Sequence, residues 1–320
     1  MKLAIQFGEV EKIQFQPSQD GNSDFAIVEF ISIEAAEAAK ERLGKGGFGV
    51  VRHVIEIKSQ FNAAWKELNY ETPEEIEMVN KEIEIMNKIY VIVKNSNSSS
   101  FIHIVQPLGL IIDGENHKAF LVMEYCSGGD LQQYINDMIN KGTLISDDKF
   151  WEIIGQLGSS IFQLHSHGII HGDLKPSNVL LTSDFRIKLA DFGSARELQE
   201  GKTSITLLAG TNLYLAPEIH IAGIQNLKKK QKFSVDIWAC GIMLYELLAQ
   251  HHPFTFGWTN IPQQEFIRRV IYDNPPELPN HYPENMRNLI KAMLVKNPDH
   301  RITAEQIMNV PEVIASLAKK

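Results

Sequence analysis

The chain has 320 residues, enough for about two domains and for a core that needs neither disulfides nor a structural metal. Hydrophobic residues make up 44% and charged residues 22%, a globular mix that excludes a largely disordered chain. With 31 Lys and Arg against 39 Asp and Glu, the net charge of -8 argues against a protein that holds nucleic acid mainly by electrostatics.

Cys126 and Cys240 are the only cysteines, too far apart for a disulfide framework or a zinc cluster, so a reducing compartment, cytosolic or nuclear, is expected. The most apolar stretch, Ala239 to Ala249, carries Glu246 and falls short of the roughly 18 apolar residues a membrane helix needs. The opening MKLAIQFGEVEK is unlike a secretory signal, so neither export nor a membrane partner is expected.

In chain order, residues 7–42 read as a strand, a Gly-Asn loop, the strand DFAIVEF and a helix from near Ile33. After the glycine-rich run LGKGGFGVV, Val50–Ile57 and Phe61–Leu68 read as strands. Pro73–Ile89 reads as a helix capped by Thr72, with Pro73 at its first position. Asn95 to Ser100 has no apolar residue and reads as a surface loop, before strands at about Ile102–Ile112 and Ala119–Tyr125. Beyond Asp130 the spacing turns helical, as in Trp151, Ile154, Leu157, Ile161 and Leu164, and again from Ile237 to Leu248. The predicted architecture is α+β, a small sheet lobe followed by a larger helical one.

Chemistry concentrates in three places. Gly44, Gly46, Gly47 and Gly49 let a backbone pass close over phosphates and offer its N–H groups to them. Lys66 falls mid-strand among apolar residues and needs an anionic partner. Glu82 on the following helix is placed to supply it, with Glu84 as the competing candidate. The run IIHGDLKPSNVLL sets His171, Asp173, Lys175 and Asn178 between apolar flanks, the composition of an active-site loop.

That run resembles the catalytic loop of the eukaryotic protein kinases, and Asp191-Phe192-Gly193 and Ala216-Pro217-Glu218 follow in the family's order. Ser234 to Trp238 with Gly241, and Pro298 to Arg301, extend the resemblance to about Leu43–Leu317. It implies a two-lobed kinase fold, with an N-lobe at 43–125 and a C-lobe at 126–320, using ATP and Mg²⁺ on protein substrates. By the resemblance, Leu43, Gly44, Lys45, Gly46, Gly47, Phe48 and Gly49 cover the nucleotide, and Lys66, fixed by Glu82, meets its α- and β-phosphates. Val51, Ala64 and Leu180 sandwich the adenine, Met123 is the gatekeeper, Glu124 and Cys126 belong to the adenine-binding hinge, and Asp130 meets the ribose. Asp173 accepts or orients the hydroxyl proton, Lys175 neutralises charge on the transferring group, and Asn178 with Asp191 holds Mg²⁺. Met86, Leu108, His171 and Phe192 are members of the packed spine linking the lobes, and Arg301 pairs with Glu218.

Lys175, two residues after Asp173, and Gly210-Thr211 match the serine/threonine pattern. Ser177 stands where many basophilic kinases carry Glu. Gly172 replaces the Arg that commonly binds an activation-loop phosphate, so modification of Thr203, Ser204 or Thr206 is expected to matter less than in kinases that keep it. The rival reading is an inactive pseudokinase scaffold that binds nucleotide and partner proteins.

Residues 1–42 resemble part of an RNA-recognition motif. Phe25, Ala26, Val28 and Phe30 fit its octamer, whereas Ser23, Asp24 and Ile27 do not. With 4 basic and 8 acidic residues the segment repels phosphate, so it reads as a truncated appendage packed on the small lobe or as an accessory surface, without nucleic acid. Because AAEAAKERL favours helix, a short or missing first kinase strand is expected before Gly44. Lys228 to Lys230 with Lys232 reads as a solvated loop.

Overall fold

The computed structural model describes residues 10–17, 24–30, 41–46, 49–55, 62–96, 101–197, 205–206, 212–225 and 230–319. They fall into two compact units, Met1–Ser127 and Gly128–Lys320.

The first unit opens with a hairpin, β1 (Val10–Pro17) and β2 (Asp24–Phe30), in which Ile13 pairs with Val28 and Phe15 with Ala26. Next come β3 (Glu41–Gly46), β4 (Gly49–Ile55), β5 (Asn62–Asn69), α1 (Pro73–Ser96), β6 (Pro107–Asp113) and β7 (Lys118–Glu124). β3 to β7 form one antiparallel sheet in the order β3-β4-β5-β7-β6. The first strand is therefore present, and it takes in Glu41 and Arg42: pairing with Arg52 and His53 of β4 overrides the helical preference of that sequence. The helix expected near Ile33 lies outside the described residues.

Thr72 caps α1, its Oγ1 accepting from the Glu75 N–H at 3.2 Å while Glu75 Oε2 accepts from the Thr72 N–H at 3.1 Å. The helix runs past the expected Ile89 to Ser96, so Asn95 belongs to it and not to a loop. The reason is a buried stripe that continues at helical spacing through Val79, Glu82, Met86, Ile89 and Val93.

The second unit is mainly helical, with α2 (Leu131–Lys141), α3 (Asp147–Ser166), α4 (Pro217–Ile224), α5 (Ser234–Ala249), α6 (Gln263–Tyr272), α7 (Glu284–Met293), α8 (Ala304–Met308) and α9 (Pro311–Ala318). Short antiparallel ladders join β8 (Ile169–Ile170) to β11 (Arg196–Glu197), β9 (Val179–Leu181) to β10 (Ile187–Leu189), and β12 (Ile205–Thr206) to β13 (Lys230–Gln231). At the centre lies α5, buried from Val235 through Tyr245, with α3 and α7 packed against it. Among the described residues no helix is long and apolar enough to cross a membrane.

Candidate active site

In the first unit the sheet register brings the expected nucleotide-facing residues to one side. Lys66 of β5 pairs with Val51 of β4 and Leu121 of β7, and Ala64 pairs with His53 and Met123. Side chains alternate along a strand, so Val51, Ala64, Lys66 and Met123 share a face. Lys66 is 4% exposed and Glu82 8%, and Lys66 Nζ donates to Glu82 Oε1 at 2.6 Å. The competing Glu84 is exposed on another face of α1. Leu43 to Gly46 lie in β3 and Gly49 begins β4, while Gly47 and Phe48 lie outside the described residues. At the end of β7, Glu124 N–H donates to Gln106 O at 2.9 Å and its Oε2 accepts from Gln106 N–H at 3.1 Å, fixing the strand end; Met123 and Cys126 are buried.

In the second unit Gly128 N–H donates to Leu181 O at 2.8 Å, and Leu181 N–H donates to Gly129 O at 2.8 Å. A Cβ on Gly128 would stand 2.5 Å from Thr182 O, so only glycine allows this approach. The clamp sets Asp130 opposite Leu180. Asp130 caps α2 through Oδ1 and Gln133 N–H; burial raises its carboxyl, with the N–H groups of Gln133 and Gln132 pulling the other way.

The catalytic-loop residues converge. Asp173 Oδ2 lies 2.7 Å from Lys175 Nζ, and Asn178 Nδ2 donates to Asp173 O at 2.8 Å. Ala190 N–H donates to Asn178 O at 2.9 Å, which ties the loop to Asp191. Asp191 takes a left-handed backbone with φ of 61°, sparsely populated by non-glycine residues and costly unless the surroundings impose it. Next to it Phe192 is buried, its ring 4.9 Å from that of His171. Gly172, Asp173 and Leu174 line a small cavity together with Tyr214, Leu215 and Ala216, which brings the Ala-Pro-Glu segment to the loop.

Asp236, whose role the sequence did not disclose, anchors this arrangement. It is 1% exposed in the first turn of a mostly apolar helix, and a carboxylate set between Val235 and Ile237 is the signal that could have found it. Its Oδ2 accepts from the His171 N–H and its Oδ1 from the Gly172 N–H, both at 2.9 Å, while His165 Nε2 lies 2.9 Å from Oδ2. Burial opposes ionisation, but the hydrogen bond and charge of His165, the charge of His171 and the Gly172 N–H outweigh it and hold the carboxyl below its usual range. Gly172 has φ of 79°, a conformation that suits glycine.

Two further contacts support the segment after Asp191. Arg301 meets Glu218 through two hydrogen bonds of 2.8 and 3.0 Å, as the motif resemblance implied. Tyr214 Oη donates to Glu246 Oε2 at 2.9 Å, a pair no motif disclosed. Burial pushes the Glu246 carboxyl up to about 7, with the Tyr214 hydrogen bond opposing. Thr206 lies in β12 opposite Lys230, whereas Thr203, Ser204, Gly210, Thr211, Lys228 and Lys229 lie outside the described residues.

A cation would find hard oxygen ligands here. Because Asn178 Nδ2 is committed to Asp173 O, its Oδ1 is the acceptor atom left, and Asp191 adds a carboxylate within the same loop pair. This donor set fits Mg²⁺.

The order of these motifs on a small antiparallel sheet unit and a helical unit defines a class, and the chain belongs to the protein kinase family, whose domain model matches residues 38–312. It is similar to the probable serine/threonine-protein kinase nek2 of Dictyostelium discoideum, 32% identical over 83% of this chain and 60% of that protein. It is also similar to the G2-specific protein kinase nimA of Emericella nidulans, at 28% over 88% of this chain and 42% of that protein. The alpha chain of calcium/calmodulin-dependent protein kinase type II of Drosophila melanogaster is 34% identical over 85% of this chain and 48% of its own length. The chain thus spans about half the length of the curated relatives it matches.

Proposed function

We propose that this chain transfers the γ-phosphoryl group of ATP to serine or threonine hydroxyls of protein substrates. The observation that carries the reading is the loop in which the Asp173 carboxylate, Lys175 Nζ and Asn178 amide converge on a backbone pinned by Asp236. Asp173 accepts the proton of the attacking hydroxyl and orients its oxygen. Lys175 places a positive charge where charge develops on the transferring group, and Lys66, locked by Glu82, does the same for the α- and β-phosphates. In the first unit Val51 and Ala64 are assigned to the adenine and Met123 to Cys126 to its edge; in the second, Leu180 is assigned to the adenine and Asp130 to the ribose. Asn178 Oδ1 and the Asp191 carboxylate would hold Mg²⁺, which would supply positive charge to neutralise the phosphates. The serine/threonine choice rests on Lys175 and on the name of the similar kinase of Dictyostelium discoideum.

The test is transfer of labelled γ-phosphate from Mg-ATP to a generic Ser/Thr protein substrate. Asp173→Ala is expected to lower transfer by about three orders of magnitude or more while nucleotide still raises the melting temperature. Equal transfer by both chains would refute the assignment. No transfer by either, with nucleotide binding intact, would favour the scaffold reading.

A further inference from the structure

The first unit holds an aromatic pair that the motif resemblance leaves without a role. The ring of His53 lies on that of Tyr125, with centroids 3.9 Å apart and planes 9° from parallel. His53 Nε2 donates to Asn62 Oδ1 at 2.8 Å, which fixes how the imidazole is turned. Both rings are half-buried, and all three residues belong to the first unit.

The sheet register places the pair. His53 stands opposite Ala64 and Ala64 opposite Met123, so His53 shares the face of Val51, Ala64, Lys66 and Met123. Asn62 comes two residues before Ala64 on β5, a diagonal neighbour of His53 within side-chain reach. β5 lies between β4 and β7, so the imidazole meets the tyrosine across it. On this face the β5 residues there are Asn62 and Ala64, both short, which leaves the space above them to the two rings. Tyr125 sits between Glu124 and Cys126, just past the end of β7. Gln106, at the start of β6, already holds Glu124 through the hydrogen bonds of 2.9 and 3.1 Å. The stack is the matching tie from the β4 side, and an offset or parallel ring pair contributes beyond the area it buries.

We propose that His53 is a positioning residue for the nucleotide. Stacked on Tyr125 and oriented by Asn62, it holds the peptide groups on either side of Tyr125 where they meet the adenine edge. This role depends on the proposed assignment of Met123 to Cys126 to that edge, and it adds the residue that fixes the segment in place.

The test uses the full chain and two readings, calorimetric affinity for Mg-ATP and KM against kcat for transfer. His53→Ala is expected to weaken Mg-ATP binding and raise the KM for ATP roughly fivefold, with kcat within about twofold. His53→Phe keeps a ring to stack and is expected to recover most of the affinity. Tyr125→Leu removes the other ring, so its double variant with His53→Ala should lose no more than the larger of the single losses. Should the chain bind Mg-ATP without transferring phosphate, calorimetry alone decides. Unchanged affinity in His53→Ala, an equal loss in His53→Phe, or losses that add in the double variant would overturn the role of His53 and leave the adenine assignment standing. A native chain that binds no Mg-ATP would overturn the adenine assignment itself, and the role of His53 with it.

Discussion

An ammonium as buried as Lys66 persists because Glu82 meets it at 2.6 Å, and the pair has to be considered as one object. Removing one partner strands a buried charge at a cost of roughly 3–5 kcal/mol, whereas an apolar pair of similar volume restores much of it. Urea unfolding should therefore find Glu82→Ala well below the native chain and Lys66→Met with Glu82→Leu closer to it. A double variant that loses the sum of the singles would show no coupling. Glu246 gives the opposite lesson, a carboxyl whose burial raises its folded pKa to about 7, above its value in the unfolded chain. Between those two values the folded state holds the extra proton, so the stability it contributes is full below the unfolded pKa and lost as pH rises through about 7. Relative to Glu246→Gln, the native chain should lose about 2–3 kcal/mol between pH 5 and pH 8. A difference that stays flat with pH would contradict this.

At the level of elements, backbone approach decides more than side-chain chemistry. The Gly128 clamp on β9 sets the height of Leu180, so Gly128→Ala has to push β9 away through a clash with the carbonyl of Thr182. Because the displaced contact lies beside Leu180, which the proposed function assigns to the adenine, the expected result is roughly tenfold weaker Mg-ATP binding, with a smaller change in turnover at saturation. Calorimetry that finds unchanged affinity would separate the clamp from nucleotide binding. The same logic explains β3: the helical preference of Glu41 and Arg42 loses to a ladder with β4, because pairing satisfies backbone groups that an isolated helix end would leave open. It also explains α1, where the loop-like composition of Asn95 and Ser96 counts for less than the stripe ending at Val93.

For the whole molecule the chain divides into two compact units, which are expected to lose stability separately. Arg301 is the hub of the second: it binds Glu218, the carbonyls of Ser234, Val295 and Lys296, and lies 5.1 Å from the Trp238 ring. Arg301→Ala leaves Glu218 unpaired and several carbonyls unsatisfied, a loss of about 3–5 kcal/mol. Segment-resolved hydrogen exchange should show protection falling across residues 128–320 while β4, β5 and β7 keep theirs. Glu82→Ala should do the reverse. Loss of protection throughout in both variants would mean the units unfold together.

What sequence alone determined was whatever depends on local order and spacing: the glycine run, Lys66 in its strand, the catalytic loop, and the family those motifs define. Period and residue type suffice there, because each motif is a short stretch whose chemistry travels with its own neighbours. Tertiary structure decided what distant residues do to one another. Glu82 over Glu84 was settled by which side of α1 meets the sheet, and the anchoring of His171 and Gly172 by Asp236 joins segments some 65 residues apart. Tyr214 and Glu246, and the stack of His53 on Tyr125, were likewise hidden, because burial and partner choice are properties of the packed chain and leave no periodic mark in it.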